Sequence, residues 1–185
     1  MLFLPVTAWA HEGGGAASGF FSGFAHPSSG LDHVVAMVAV GLWGAQLQKP
    51  AMWLLPVAFP VVMAFGGMLG VRGVQIPAVE IGIALSAIVL GAAVLSEARP
   101  PLWLAAIIVG AFAIFHGHAH GTELPQSAHA LAYSVGFVLA TGCLHATGIA
   151  IGLIYKWPAG KWVVRLGGAV IAAIGCFFLF KAISS

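Results

Sequence analysis

LWLAAIIVGAFAIFHGHAH, from Leu102 to His120, runs nineteen residues without an Asp, Glu, Lys or Arg and ends in three histidines at alternate positions. As a helix rising ~1.5 Å per residue it is about 28 Å long, close to the ~30 Å of bilayer hydrocarbon. In lipid a backbone has no water to pair with, so such a segment closes its own hydrogen bonds as an α-helix. Five more stretches read the same way: Leu31 to Leu47, Ala51 to Val71, Ile76 to Leu95, about Gln126 to Tyr155, and Lys161 to Ile183. Polar or helix-breaking punctuation separates several of them, as at Gln48-Lys49-Pro50, Arg72-Gly73 and Glu97-Ala98-Arg99-Pro100-Pro101. The shorter, alternating segments of a membrane β-barrel are absent from this pattern. The expected fold is all-α, a polytopic bundle of about six transmembrane helices.

Composition agrees. Of 185 residues, 61% are hydrophobic and 6% charged, against about 25% charged in soluble domains, and the mean hydropathy is +1.03. The net charge of +2 is scattered, unlike the clustered Lys and Arg of a nucleic-acid binder. Cys143 and Cys176 lie in apolar segments without C-x-x-C spacing, which excludes a zinc ribbon and reads them as small buried hydrophobes. No G-x-x-x-x-G-K-[ST] loop occurs, so no ATPase domain is expected.

Met1 to Ala10 is apolar and closes on Ala8-Trp9-Ala10, an A-x-A-type cleavage pattern on a segment shorter than the usual ~15–30 residues. We read residues 1–10 as a short signal segment, its start truncated or the segment retained, and 11–185 as one transmembrane domain. If the segment is cleaved, His11 becomes the N-terminus. The stretch around Gly13–Gly15 reads as a flexible leader. Lys49, Arg99, Lys156, Lys161 and Arg165 fall on one side of the six spans, Arg72 and Lys181 on the other. The basic side is cytoplasmic by the positive-inside rule, which puts both termini in the periplasm and the protein in the inner membrane. Trp157 and Trp162 flank the basic loop as interfacial anchors. Many of the 25 glycines sit inside spans, where they let helices approach closely; Gly148 and Gly152 form a small-xxx-small pair.

The chain has more histidines (eight) than carboxylates (five), and histidine is the commonest metal ligand. On this topology His11, Glu12, His26, Asp32, His33, Glu80, His116, His118, His120, Glu123 and His129 gather at the outer face, and only His145 lies deeper. At ~100° per residue His116, His120 and Glu123 share a helix face while His118 points away. Two imidazoles at i and i+4 can grip one ion, and His33 with Met37 repeats the spacing. Imidazole suits nickel, cobalt, zinc, iron or copper(II), and the lack of thiolate pairs argues against copper(I). We read His118 as an interfacial polar group, Glu12 as solvated leader, Glu97 as the ion-pair partner of Arg99, and Met63 and Met68 as packing. His145 is about nineteen residues into the longest span, roughly 28 Å along its helix; it is expected to be a second way-station, with Cys143 on a different face.

His26-Pro-Ser-Ser-Gly-Leu-Asp32-His33 forms an H-x5-D-H motif, and Phe115-His116-Gly-His-Ala-His120-Gly-Thr-Glu123 an F-H-G-x-A-H-G-x-E motif. Both, with the Ala10-His11 junction, the Gly41-Leu42-Trp43 stretch and a histidine in a Gly-rich fifth span, resemble the HupE/UreJ family of hydrogenase and urease accessory proteins. The resemblance covers nearly the whole chain. It implies a nickel or cobalt permease in which His26, Asp32, His33, His116, His120 and Glu123 handle the metal. We therefore expect uptake of Ni2+, or alternatively Co2+ or Zn2+, with no prosthetic group and no enzymatic activity. Transport is passive, coupled to an ion gradient, or drawn by cytoplasmic metal acceptors, and an oligomer stays open. Two rivals come from other classes: a membrane haem protein with histidine axial ligands, and a metal-dependent membrane hydrolase with Glu123 or Asp32 as base.

Overall fold

The computed structural model describes residues 16–124 and 129–184. Among these residues there are seven α-helices and no strand: α1 (Ala16–Ala25), α2 (Leu31–Leu47), α3 (Ala51–Val71), α4 (Val79–Leu95), α5 (Leu102–Thr122), α6 (Ala130–Gly152) and α7 (Pro158–Ser184). Short 3-10 turns, His26–Ser28 and Leu153–Lys156, extend α1 and α6. The protein is an all-α, multi-pass membrane protein. Residues 1–10, His11, Glu12 and the expected fifth-span start at Gln126 lie outside the described residues.

All six apolar stretches are helices, and α2 and α3 have the bounds expected from the sequence. The third stretch starts at Val79 rather than Ile76. Pro77 disfavours helix at the residue before it, and Ala78 then turns into the left-handed region at φ 56°. The last stretch begins three residues early because Pro158 suits a helix's first turn, where its missing N–H is not needed. Four helical segments are by themselves long and apolar enough to span a bilayer: Ala51–Val71, Leu102–Thr122, Ala130–Lys156 and Pro158–Ser184. Ala16–Ser28 and Leu31–Leu47 meet that test only as a pair bent by 80°, and Val79–Leu95 is a shorter apolar helix.

The Gly13–Gly15 stretch read as flexible leader lies outside the described residues, and directly after it residues 16–25 form a helix. Gly19 and Gly23 lower its intrinsic propensity, but they let α1 dock closely on α6. Built at Gly23, a Cβ would overlap the Tyr133 carbonyl, and at Gly136 it would overlap that of Phe20. Tertiary contact decides what local propensity leaves undecided.

The same device sets the rest of the bundle. Lipid tails are as apolar as leucine, so close packing rather than a hydrophobic drive holds spans together. Gly66 of α3 lies on the Ile114 backbone and Gly117 of α5 on that of Met63, leaving no room for a Cβ at either. Between α2 and α6, Gly41 lies on the His145 carbonyl and Gly148 on that of Val38. Helix α2 sits at the centre, packed by α3, α4, α6 and α7, with Met37, Val40 and Trp43 fully or almost fully enclosed. It carries Asp32 and His33 into the middle of the bundle. The outward faces are apolar instead, with Val57, Ile107, Leu166, Phe177 and Phe180 exposed, as lipid contact requires. Both cysteines are also exposed; the expectation that they are buried is corrected, because each stands on the lipid-facing side of its helix.

At the end away from the histidines, Arg165 pairs with Glu97 at 3.6 Å and donates to the Leu95 carbonyl at 3.0 Å. The sequence suggested Arg99 as the partner of Glu97; α4 and α7 pack side by side, which brings Arg165 there instead. Tyr155 also donates to Glu97. Trp157 and Trp162 are both 64% exposed beside this basic end.

Candidate metal centre

Four elements bring the motif residues together. The turn after α1 supplies His26, the start of α2 supplies Asp32 and His33, the last turns of α5 supply His116, His120 and Glu123, and the middle of α6 supplies His145. Gly30 enters α2 in an extended conformation, so Asp32 sits in the first helical turn and folds back on its neighbour. Its Oδ1 accepts from the His33 backbone N–H at 2.9 Å and from His33 Nδ1 at 3.0 Å.

The outermost group is a three-ligand set. His26, His120 and Glu123 each offer one ligand atom, all within 4.8 Å of one another. His26 Nε2 is 3.1 Å and His120 Nδ1 3.9 Å from Glu123 Oε2. The Glu123 side chain is 57% exposed while that of His120 is 9% exposed, so the set forms a mouth with one wet side. A cleft beside it, lined by Met63, Gly67, Gly117, His120, Tyr133 and Phe137, opens between α3, α5 and α6 with a volume of about 380 Å³.

Inward from the mouth the rings form a column. His26 and His120 centroids are 5.0 Å apart, His120 and His33 4.4 Å, and His33 and His116 4.8 Å. Phe59 follows, edge-on to His116 at 5.5 Å and to His145 at 5.3 Å. His116 is fully buried and His145 nearly so. His145 stands level with Met37, one turn below His33 in α2, and the Phe59 ring stands between it and His116.

Hydrogen bonds then show which nitrogens are free. A carboxylate accepts only, so Asp32 places the His33 proton on Nδ1. A carbonyl likewise accepts only, so the Met37 oxygen, 3.0 Å from His145 Nδ1, places that ring's proton on Nδ1. The opposite nitrogens, His33 Nε2 and His145 Nε2, are buried without a hydrogen-bond partner, as are His116 Nδ1 and both ring nitrogens of His120. Leaving one buried polar atom unpaired costs about 1–3 kcal/mol. Five such nitrogens line this column. On His33, His116 and His145 the unpartnered nitrogen lies opposite one already held by Asp32, Ser86 and the Met37 carbonyl, the arrangement in which the far-side hydrogen bond orients a ligating histidine.

Not every sequence candidate joins. His118 points away from the column and donates through Nε2 to the Val74 carbonyl at 2.6 Å. Glu80 is exposed in the first turn of α4, and His129 accepts from the Ala132 backbone N–H at the start of α6. Met63 is buried packing. Sequence reasoning missed two column neighbours. Ser86 is 2.9 Å from His116 Nε2; a lone hydroxyl in the otherwise apolar interior of α4 was the signal available. Phe59 carried none, being one of twelve phenylalanines.

Comparison with known proteins gives a consistent picture. A family model described as "HupE / UreJ protein" matches residues 1–178. "Protein HupE" of Rhizobium leguminosarum bv. viciae is 46% identical over 178 residues, covering 96% of this chain and 93% of that protein. No solved structure matches.

Proposed function

The chain belongs to the HupE/UreJ family, and from that premise we propose that it is an inner-membrane permease for a divalent transition-metal ion, Ni2+ first and Co2+ or Zn2+ as alternatives. The ion is captured from the periplasm at His26, His120 and Glu123, passes along His33 and His116, and is delivered past Phe59 to His145 and the cytoplasm, where metalloenzyme assembly consumes it. The observation that carries this reading is the column of buried imidazole nitrogens without hydrogen-bond partners, reached from one wet carboxylate. Direction follows from the Lys and Arg asymmetry. The bare nitrogens suit a borderline metal, and Glu123 and Asp32 offset its charge on entry. Each stop offers few ligands, which favours release over retention. A haem would need its axial histidines on opposite faces of a macrocycle, whereas these rings stand in mutual contact at 4.4–5.0 Å. Cells expressing the chain are expected to accumulate radiolabelled nickel, and cells expressing His33→Ala to do so at least about tenfold more slowly. Wild-type cells that take up neither nickel nor cobalt would remove the proposal.

A further inference from the structure

Ser86 lies in α4, fully buried, facing the innermost ring of the His26-to-His116 stack. Its hydroxyl has two neighbours, the Ile83 carbonyl at 2.6 Å and His116 Nε2 at 2.9 Å. A hydroxyl has one proton to give. The Ile83 carbonyl can only accept, so the arrangement that makes both hydrogen bonds has Ser86 donating to Ile83 and accepting from His116 Nε2–H. The opposite assignment sends the Ser86 proton to His116 and forfeits the Ile83 bond. It also moves the imidazole proton to Nδ1, a buried atom with no acceptor beside it. Two bonds against one, with an orphaned donor in addition, favours the first arrangement.

We infer that Ser86 is a positioning residue for transport: it holds His116 with the proton on Nε2, so that Nδ1 offers its lone pair to an ion arriving from His33. The inference rests on the permease reading and concerns its inner step only. It explains why an apolar helix carries a single buried hydroxyl at this level, and why His116, unlike His33 and His145, needs one. His33 has Asp32 and His145 has the Met37 carbonyl to fix the tautomer; His116 has neither. Ser86 does not reach the mouth, which is built from His26, His120 and Glu123, so its removal acts on passage rather than on capture.

The test uses the full chain in vesicles, with Ser86→Ala and the hydroxyl-retaining Ser86→Thr beside wild type. Ser86→Ala is expected to lower the initial rate of radiolabelled nickel uptake by about tenfold, the scale of losing a hydrogen bond behind a metal-binding histidine. Calorimetric nickel affinity at the mouth should stay within about twofold, and Ser86→Thr should recover most of the rate. Nitrogen NMR of 15N-histidine-labelled protein, with His116 assigned by its loss in His116→Gln, should show the Nε2–H form in wild type and a mixture or the other form in Ser86→Ala. The inference is overturned by unchanged uptake in Ser86→Ala, by Ser86→Thr as slow as Ser86→Ala, or by an Nδ1–H form of His116 in wild type. Wild-type vesicles that take up no nickel or cobalt would defeat the permease reading instead, a result distinct from the tautomer that NMR reports.

Discussion

His118 and His120 are two residues apart on one helix, yet their environments assign them opposite roles. His120 faces the column with neither ring nitrogen in a hydrogen bond, whereas His118 is spent on the Val74 carbonyl. His120→Ala and Glu123→Gln should therefore weaken nickel binding by about 10-fold or more in a calorimetric titration. His118→Ala should leave affinity within about twofold and cost about 1 kcal/mol of stability for one lost hydrogen bond. Equal losses at His118 and His120 would break the assignment. Protons compete with metal for the same lone pairs. Affinity should therefore fall on acidification, as any imidazole that takes up a proton leaves the ligand set; affinity that rises as pH drops would argue against imidazole ligands. This much of the site was legible because His116, His120 and Glu123 recur at i, i+4 and i+7. The contact between Ser86 and His116 was not, since it joins residues 30 apart through the packing of α4 on α5.

At the level of elements, glycine carries the packing, and its substitution separates two effects that usually run together. Alanine is the better helix former by about 1 kcal/mol. At Gly142 a Cβ would meet nothing within 4 Å, whereas at Gly117 it would overlap the Met63 carbonyl. Gly142→Ala should thus be neutral or raise thermal stability in detergent. Gly117→Ala should lower it by about 1–3 kcal/mol, because α3 and α5 must part. Gly117→Ala as stable as Gly142→Ala would mean that the α3/α5 seam is looser than described. The six apolar segments were readable because they are long, nearly free of charge, and in several places punctuated by polar or helix-breaking residues. Helix α1 was not, because its glycines look like a linker until Tyr133 and Gly136 of α6 are in place. The bounds of α4 and α7 shifted for a local reason, the placing of Pro77 and Pro158.

Over the whole molecule the two ends differ in chemistry. One gathers His26, Asp32, Glu80 and Glu123; the other gathers Lys156, Lys161 and Arg165 around Glu97, with a cleft of about 400 Å³ between them. In the proposed orientation, argued from the positive-inside rule, the second end is cytoplasmic. With the exposed Cys143 and Cys176 first replaced by alanine, Lys161→Cys should resist an impermeant thiol reagent in intact cells, and Ser184→Cys should react. The reverse pattern would invert the direction of the proposed path. Orientation and ion flow both converge on the claim that the histidine column conducts. The most direct measurement is uptake of radiolabelled nickel by vesicles containing only the purified chain, wild type beside His33→Ala. The account predicts saturable accumulation by wild type and at least about a tenfold loss in a folded His33→Ala; accumulation no greater than in empty vesicles, or equal in the two proteins, would contradict it.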